Sequence, residues 1–122
     1  MTVFGYIAGK ENPEWTEITT EELFEKYNSE QPPLLIDVRS VEDHTGGYGH
    51  IPNAVSIPML ELESNIARII SYREKEVVTM CPGGGLSLVA IDVLTEAGFK
   101  DVKSLKGGTD EWKEKGYPLT KD

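Results

Sequence analysis

The only cysteine of the chain is followed by a proline and three glycines. Cys81 opens the run Cys81-Pro82-Gly83-Gly84-Gly85-Leu86-Ser87 in a sequence of 122 residues. With one cysteine, the chain can form neither an internal disulfide nor a thiolate-rich metal site. A lone cysteine is most often an inert buried residue, so the neighbours of Cys81 decide whether its thiol is reactive.

The glycines predict a loop whose backbone amides face a ligand. Each of three consecutive glycines costs about 0.5–1 kcal/mol of backbone entropy relative to alanine, which indicates positive φ angles or a close approach to another group. Pro82 has no N–H, and it favours an extended conformation for Cys81. A helix start with converging amides favours the thiolate form of the cysteine. The amides that we expect to bind an anion or a sulfur atom are those of Gly83, Gly84, Gly85, Leu86 and Ser87.

Several kinds of cysteine chemistry are disfavoured by the residues around this loop. Cysteine-dependent phosphatases need an arginine at the sixth position after the cysteine; this chain has Ser87 there and no Arg or Lys between Cys81 and Ala97. Dithiol exchange needs a second cysteine, and a cysteine protease needs a histidine base, for which only His44 and His50 are available. A single thiolate among amides suits a persulfide, from which an external acceptor removes the extra sulfur atom.

The loop lies between a predicted strand and a predicted helix. Apolar runs at 34–38, 54–57, 76–80 and 102–105 predict buried strands of a parallel sheet. Apolar residues at helical spacing predict three helices. One begins after the N-cap candidate Thr19, one covers 60–70, and one begins after the N-cap candidate Thr109. The helix after the loop has a predicted core-facing stripe of Leu86, Val89, Ala90, Val93, Leu94 and Ala97. Strands and helices alternate, which predicts an α/β doubly wound sheet with ligands bound beyond the carboxyl ends of the strands.

The charge of the chain disfavours some classes of partner. Lys and Arg number 12 and Asp and Glu number 21, which gives a net charge of −9 at pH 7. Such a surface argues against nucleic acid and against anionic lipid. No apolar run approaches the ~20 residues that span a bilayer, and the first residues lack the basic region of a signal peptide. We therefore expect a cytoplasmic protein with no metal and no cofactor.

Three motifs of the chain resemble those of the rhodanese family and occur in the family's order. The six-residue loop opened by Cys81 lies between two stretches similar to the family's N-terminal and C-terminal signatures, and the resemblance covers roughly residues 16–119. The first stretch comprises Leu35-Ile36-Asp37-Val38-Arg39, Glu42, Gly49-His50-Ile51-Pro52, Ala54 and Ile57-Pro58. The second comprises Leu105-Lys106-Gly107-Gly108, Trp112 and Gly116-Tyr117-Pro118.

The resemblance implies a fold and an activity. The expected fold is a rhodanese-like three-layer α/β domain over 17–122, with a mainly parallel five-stranded sheet flanked by helices on both faces. Residues 1–16 are expected to form an N-terminal extension that adds an edge strand or packs on the surface. The implied activity is transfer of sulfane sulfur from a donor, through a persulfide on Cys81, to a thiol or protein acceptor. The alternative is a non-catalytic rhodanese-like module that binds a protein.

Supporting roles are predicted for residues outside the loop. Asp37 and Arg39 are expected to hold neighbouring loops by ion pairing, with Glu42 as a further partner of Arg39. Ser87 is expected to cap the helix and to donate to the bound sulfur. Three further predictions are an internal hydrogen bond for His50, a left-handed backbone at Asn53 and a core position for Trp112.

The loop departs from the family pattern in its charge. Members that use thiosulfate usually have Arg or Lys directly after the cysteine and at the fifth position after it, where this chain has Pro82 and Leu86. Thiosulfate is a dianion, so we expect its use to be weak. A hydropolysulfide or a persulfidated thiol is the better expected donor.

Overall fold

Five parallel strands form the central sheet, as predicted. The structure, a computed structural model, describes residues 15–122. The strands are β1 (Glu17–Ile18), β2 (Leu34–Asp37), β3 (Val55–Ser56), β4 (Glu76–Met80) and β5 (Asp101–Leu105). Their order across the sheet is β1-β5-β4-β2-β3, and each neighbouring pair is parallel. The strand before Cys81, β4, is therefore central, with β5 on one side and β2 on the other.

Helices cover both faces of this sheet, which confirms the three-layer α/β fold. They are α1 (Thr20–Tyr27), α2 (Val41–Thr45), α3 (Leu86–Glu96) and α4 (Gly108–Glu114). Successive residues of a strand point to opposite faces. Val77 accordingly belongs to the core cluster of α3, with Ala90, Ile91 and Leu94, and Val78 belongs to the cluster of Leu23, on α1, and of Trp112, on α4. Among residues 15–122, no helix is long and apolar enough to cross a membrane.

The local signals at 19, 53 and 112 are confirmed. The Thr19 hydroxyl and the Glu22 carboxylate form a reciprocal capping box at the start of α1. Asn53 has a φ of 76°. Trp112 is fully buried, and its Nε1 donates to the Pro118 carbonyl at 2.7 Å.

One edge strand of the sheet, among the described residues, begins at residue 17. Residues 1–14 lie outside the described residues, so most of the segment predicted as 1–16 is not covered. The edge strand β1 pairs Glu17 with Ser104 and Ile18 with Leu105. It belongs to the part of the chain that was predicted as the domain.

The helix predicted over 60–70 is wrong. This segment consists of three 3-10 turns, Met59–Glu61, Glu63–Arg68 and Ile70–Tyr72. Eclipsed side chains at i and i+3 make such turns short. Leu62 and Ile69 are buried, whereas Leu60 is fully exposed. The apolar spacing thus marked the buried residues only in part.

Two predictions about helices α3 and α4 also need correction. Leu86 and Val89 were predicted in the core-facing stripe of α3 but are 46% and 44% exposed, and Ile91 is buried instead. The last helix begins at Gly108 and not after an N-cap Thr109, because Gly107, with a φ of 80°, occupies the cap position. Thr109 is buried inside the first turn of that helix.

Candidate active site

The sulfur of Cys81 lies at the carboxyl end of β4 and receives two backbone amides. We call residues 81–87 the cysteine loop. The N–H groups of Gly84 and Ser87 donate to Sγ at 3.2 and 3.3 Å. Sγ in turn lies 3.5 Å from the Ser87 hydroxyl, to which the thiol donates. Two of the five amides in the predicted cradle therefore contact the sulfur itself, and Cys81 is only 2% exposed.

The conformation at Gly84 aims its amide at the sulfur. Its φ is 96°, in the region that side-chain-bearing residues rarely adopt. A Cβ atom there would lie 3.2 Å from the Gly107 nitrogen and from the Leu105 carbonyl oxygen. A glycine is thus needed both for the backbone conformation and for the close approach of the turn after β5.

Buried hydroxyl groups from β4, β5 and α3 hold the cysteine loop on the side of the sheet. The Ser87 and Ser104 hydroxyls lie 2.6 Å apart, and the Thr79 hydroxyl donates to the Ser87 carbonyl at 2.8 Å. All three residues are fully buried. The predicted capping role of Ser87 is wrong, because Gly85 is the N-cap of α3 and no side chain caps it. Ser87 is instead the second residue of the helix, where its amide and hydroxyl both face the sulfur.

The start of α4 holds the loop from its other side. The Thr109 and Asp110 amides donate to the carbonyls of Cys81 and Pro82 at 2.9 and 3.0 Å. These are first-turn amides that have no partner within their own helix. Gly108 has a φ of 67°, and a Cβ atom there would collide with the same two carbonyl oxygens. The turn after β5 therefore fixes where Cys81 sits.

A buried ion pair lies in the loop after β2, which we call the ion-pair loop (residues 37–50). Arg39 Nη2 donates to Asp37 Oδ2 at 2.8 Å and to the Gly49 carbonyl at 2.8 Å, and His44 Nδ1 lies 2.7 Å from the same carboxylate. The predicted ion pairing of Asp37 and Arg39 is confirmed. The predicted pairing of Arg39 with Glu42 is wrong, because the guanidinium is directed to Asp37 and Gly49 and Glu42 is an exposed residue of α2.

The surroundings of Asp37 keep it ionised. Burial alone would raise the pKa of Asp37, but hydrogen bonds from Arg39 and His44, together with the charge of Arg39, hold that pKa below its ordinary value. The imidazole of His44 also stacks on that of His50, with ring centres 3.6 Å apart. His50 Nδ1 donates to the His44 carbonyl at 2.6 Å, which confirms its predicted internal hydrogen bond.

Comparisons with known proteins agree with this geometry. The model of the rhodanese-like domain matches residues 19–115. The chain belongs to the rhodanese-like domain family. It is 29% identical over 103 residues to a sulfurtransferase of Allochromatium vinosum, with 84% of this chain and 92% of that protein covered. It is 31% identical over 105 residues to the thiosulfate sulfurtransferase GlpE of Actinobacillus pleuropneumoniae, with 86% and 93% covered.

The fold also resembles that of a solved sulfurtransferase structure. The human single-domain sulfurtransferase has a TM-score of 0.71 and is 30% identical, with 81% of this chain and 96% of that chain covered. The rhodanese-like fold and membership of a sulfurtransferase family follow for this chain.

One contact within this rhodanese-like domain was missed from the sequence. The Tyr48 hydroxyl donates to Asp110 Oδ1 at 2.5 Å and lies 2.9 Å from the Thr109 hydroxyl. The Arg39 guanidinium lies over the Tyr48 ring, 5.5 Å from its centre. Burial, and then the hydrogen bond to Asp110, raise the pKa of Tyr48, so the phenol remains a donor. We call this contact the Tyr48 clasp; it ties the ion-pair loop to the helix start that holds Cys81.

The positions predicted to lack a cation are open to solvent in this domain. Pro82, Gly83, Gly85 and Leu86 are exposed, and none of the seven residues of the cysteine loop is charged. Arg39 is buried and bound to Asp37 and Gly49. Among residues 15–122, no group of three or more His, Cys, Asp or Glu could hold a metal ion.

Proposed function

We propose that this protein is a sulfurtransferase or sulfur carrier that moves sulfane sulfur through a persulfide on Cys81. The observation that carries the proposal is the pair of amides, Gly84 and Ser87, that donate to Sγ at 3.2 and 3.3 Å. Amide donors stabilise charge that develops on a sulfur atom without being consumed by the reaction. The family and the names of its sulfurtransferase members support the same activity.

The proposed cycle has two displacements at sulfur. In the first, the Cys81 thiolate attacks the outer sulfur of a donor R–S–SH; the new S–S bond forms, the donor's S–S bond breaks and R–S⁻ leaves. In the second, an acceptor thiolate attacks the outer sulfur of the Cys81 persulfide. The S–S bond to Cys81 breaks and its electron pair returns to Cys81 as a thiolate. The two steps balance without an added oxidant or reductant.

The amides of the cysteine loop have distinct proposed parts in this cycle. Those of Gly84 and Ser87 bind the Cys81 sulfur, and those of Gly83, Gly85 and Leu86 bind the donor or the outer sulfur at the open face of the loop. Pro82 shapes the loop through its fixed φ. Asp37 and Arg39 support the loop from the neighbouring strand and do not take part in the chemistry.

We propose that neutral or singly charged donors are used better than thiosulfate. The loop offers amide dipoles but no cation, and the fifth residue after Cys81 is the half-exposed Leu86. A dianion that enters the loop would lose its hydration without gaining an ion pair with a fixed positive charge. Because Cys81 is only 2% exposed, the donor must also present its sulfur at the end of a narrow group. Action in the cytoplasm stays a prediction from the sequence.

Intact-mass spectrometry after incubation with a polysulfide tests the proposal. We expect a single adduct of about 32 Da, the mass of one sulfur atom, that a reducing thiol removes. The matched control is Cys81→Ser, which changes one buried atom and should fold normally without taking up sulfur. If the wild-type chain takes up no sulfur, or if folded Cys81→Ser protein takes up as much, the proposal is wrong. In the first case the non-catalytic binding module becomes the better account.

A further inference from the structure

Exposed apolar side chains are concentrated at the end of the sheet where the strands have their carboxyl termini, next to Cys81. Of the seven large hydrophobic residues that are exposed among the described ones, four lie four to nine residues after the carboxyl end of a strand. Apolar patches exposed on a protein surface commonly mark sites of protein interaction. The four residues are Val41, Leu60, Leu86 and Val89.

The topology places these four residues at the same end of the sheet. Val41 follows β2, Leu60 follows β3, and Leu86 and Val89 follow β4, and these three strands are adjacent and parallel. Since neighbouring strands lie about 4.8 Å apart, the carboxyl ends of β3 and β4 are separated by roughly 10 Å. Helix α3 packs against the Met59–Glu61 turn, and the Met59 amide donates to the Val38 carbonyl at 3.0 Å. Met59 also packs on the core cluster that contains Cys81.

Acidic side chains border this apolar patch on the side of β2 and β3. Glu42 and Asp43 follow Val41, and Glu61 and Glu63 follow Leu60; all four are exposed. The cysteine loop between them and β5 is uncharged. Lys106 is exposed beyond the loop, on the side of β5, and the Lys113 ammonium, on α4, lies 5.8 Å from the centre of the Tyr48 ring. We call the four apolar and four acidic residues the acceptor rim.

We propose that the acceptor rim docks a protein whose acceptor cysteine lies in an apolar surface flanked by Lys or Arg. This inference rests on the proposed sulfur transfer and names the partner of that site. Basic side chains of the partner would face Glu42, Asp43, Glu61 and Glu63, while its apolar side chains would cover Leu60 and Val89. Complementary charge raises the rate of encounter and fixes the orientation in which the acceptor thiolate meets the outer sulfur.

Charge disfavours two other occupants of the rim. In a symmetric dimer whose two-fold axis passes through the acidic half of the rim, the four acidic residues would be brought towards their own copies. A membrane rich in anionic lipid would be repelled by the same residues. A cationic, apolar protein surface is the occupant that satisfies both halves of the rim.

Transfer to short cysteine peptides tests the proposal. Cys81 is first loaded from a polysulfide, and the persulfidated protein is then mixed with one of three capped peptides: Lys-Leu-Cys-Leu-Lys, Glu-Leu-Cys-Leu-Glu or Lys-Ser-Cys-Ser-Lys. Each rate is divided by the rate of the same peptide with a small disulfide, which corrects for the intrinsic reactivity of its thiol. At low salt we expect the apolar basic peptide to react about tenfold faster than the acidic one. The difference should shrink in about 0.5 M salt.

Variants of the rim separate its two halves. The double variant Glu61→Lys/Glu63→Lys should reduce the preference for the basic peptide at least threefold. Leu60→Ser should reduce the advantage of leucine-containing over serine-containing peptide by a similar factor. The matched control is Ile70→Ser, which removes a 38% exposed apolar side chain at the opposite edge of the sheet and should change neither preference.

The outcomes distinguish this proposal from the function on which it rests. If polysulfide does not load Cys81, the proposed sulfur transfer itself is wrong. If Cys81 is loaded and passes sulfur to β-mercaptoethanol, but the three peptides react at equal corrected rates, only the acceptor rim is overturned. A preference for the basic peptide that survives the Glu61→Lys/Glu63→Lys change would also overturn it.

Discussion

The cysteine loop and the ion-pair loop lie on neighbouring strands and are held in opposite ways. The ion-pair loop is fixed by a buried carboxylate, Asp37, that binds Arg39 and His44. The cysteine loop has no charged side chain and is fixed by backbone hydrogen bonds from Thr109 and Asp110 and by the conformation of Gly84. The charges that stabilise the fold are thus kept one strand away from the sulfur. We therefore expect changes in one loop to alter stability and changes in the other to alter chemistry.

Removing the charge of Asp37 should have the largest effect on stability. Asp37→Asn leaves the buried Arg39 without its anionic partner, and loss of one partner from a buried pair costs about 3–5 kcal/mol of unfolding free energy. Urea unfolding measures this loss. Glu76→Gln is the matched control, because Glu76 pairs with Lys26 and Lys103 near the surface and its loss should cost about 1 kcal/mol or less. Equal losses in the two variants would contradict the special role of the ion-pair loop.

The same carboxylate makes a prediction about acid. The pKa of Asp37 is lowered in the folded state. The ionised carboxylate therefore contributes its full stabilisation at pH values above the pKa of Asp in the unfolded chain, about 3.9. That contribution is lost as the pH falls through the folded pKa. Wild-type protein should therefore lose more unfolding free energy below about pH 4 than Asp37→Asn does. Parallel pH profiles for the two proteins would show that Asp37 is not the group responsible.

Placing a cation in the cysteine loop should change donor preference. Leu86→Arg provides a guanidinium near the site of a dianion, and partial screening leaves about 1–3 kcal/mol, or roughly tenfold to a hundredfold in kcat/KM for thiosulfate. Leu86 is 46% exposed, so the substitution should not disturb the core. Steady-state kinetics with thiosulfate and with a polysulfide measure the effect, which should be small for the polysulfide. Rapid use of thiosulfate by wild-type protein, or no gain in the folded variant, would show that charge does not limit the reaction.

Distorting the cradle should reduce sulfur uptake more than stability. Gly84→Val forces a branched side chain into a positive φ and against the turn after β5, at a cost of about 1–3 kcal/mol. The rate of persulfide formation, followed by mass spectrometry, should fall by a larger factor than the loss of folded protein explains. Gly116→Val is the control, because Gly116 also has a positive φ, 77°, but follows the far end of α4, and a Cβ atom there meets nothing within 4 Å. Equal rates in the two variants would mean that the Gly84 amide is not needed.

Breaking the Tyr48 clasp should have the smallest effect. Tyr48→Phe removes the hydroxyl that bonds Thr109 and Asp110, which costs about 1 kcal/mol. Because those two residues hold the carbonyls of Cys81 and Pro82, alkylation of Cys81 should change severalfold in the folded protein. Tyr72→Phe, at an exposed tyrosine of the opposite edge, should leave the rate unchanged. An unchanged alkylation rate in Tyr48→Phe would confine the clasp to a purely local role.

The sequence predicted the sheet and the cysteine loop well because their signals are local. Each buried strand is a short apolar run, and the glycines after Cys81 are adjacent to the residue that they serve. The segment from Leu60 to Ile70 failed because apolar spacing does not distinguish an α-helix from successive 3-10 turns. Leu86 and Val89 were assigned to the core because hydrophobic residues usually are, whereas here they border the site.

The contacts between loops could not be read from the sequence. The Tyr48 clasp joins residues that are 61 and 62 positions apart, and no periodicity relates them. Thr109 looks like a helix cap by residue type, but Gly107, with its positive φ, takes the N-cap position two residues earlier, and Thr109 is buried. Such features depend on how the ends of β2, β4 and β5 meet.

A single-turnover transfer of labelled sulfur tests the central claim most directly. Cys81 is loaded with one radiolabelled sulfane sulfur, excess donor is removed, and a thiol acceptor is added. The proposal predicts that the label leaves the protein, appears on the acceptor as a persulfide and regenerates one free Cys81 thiol for each sulfur transferred. Label that stays on Cys81 in the presence of excess acceptor would contradict the account, and so would transfer of equal size by folded Cys81→Ser protein.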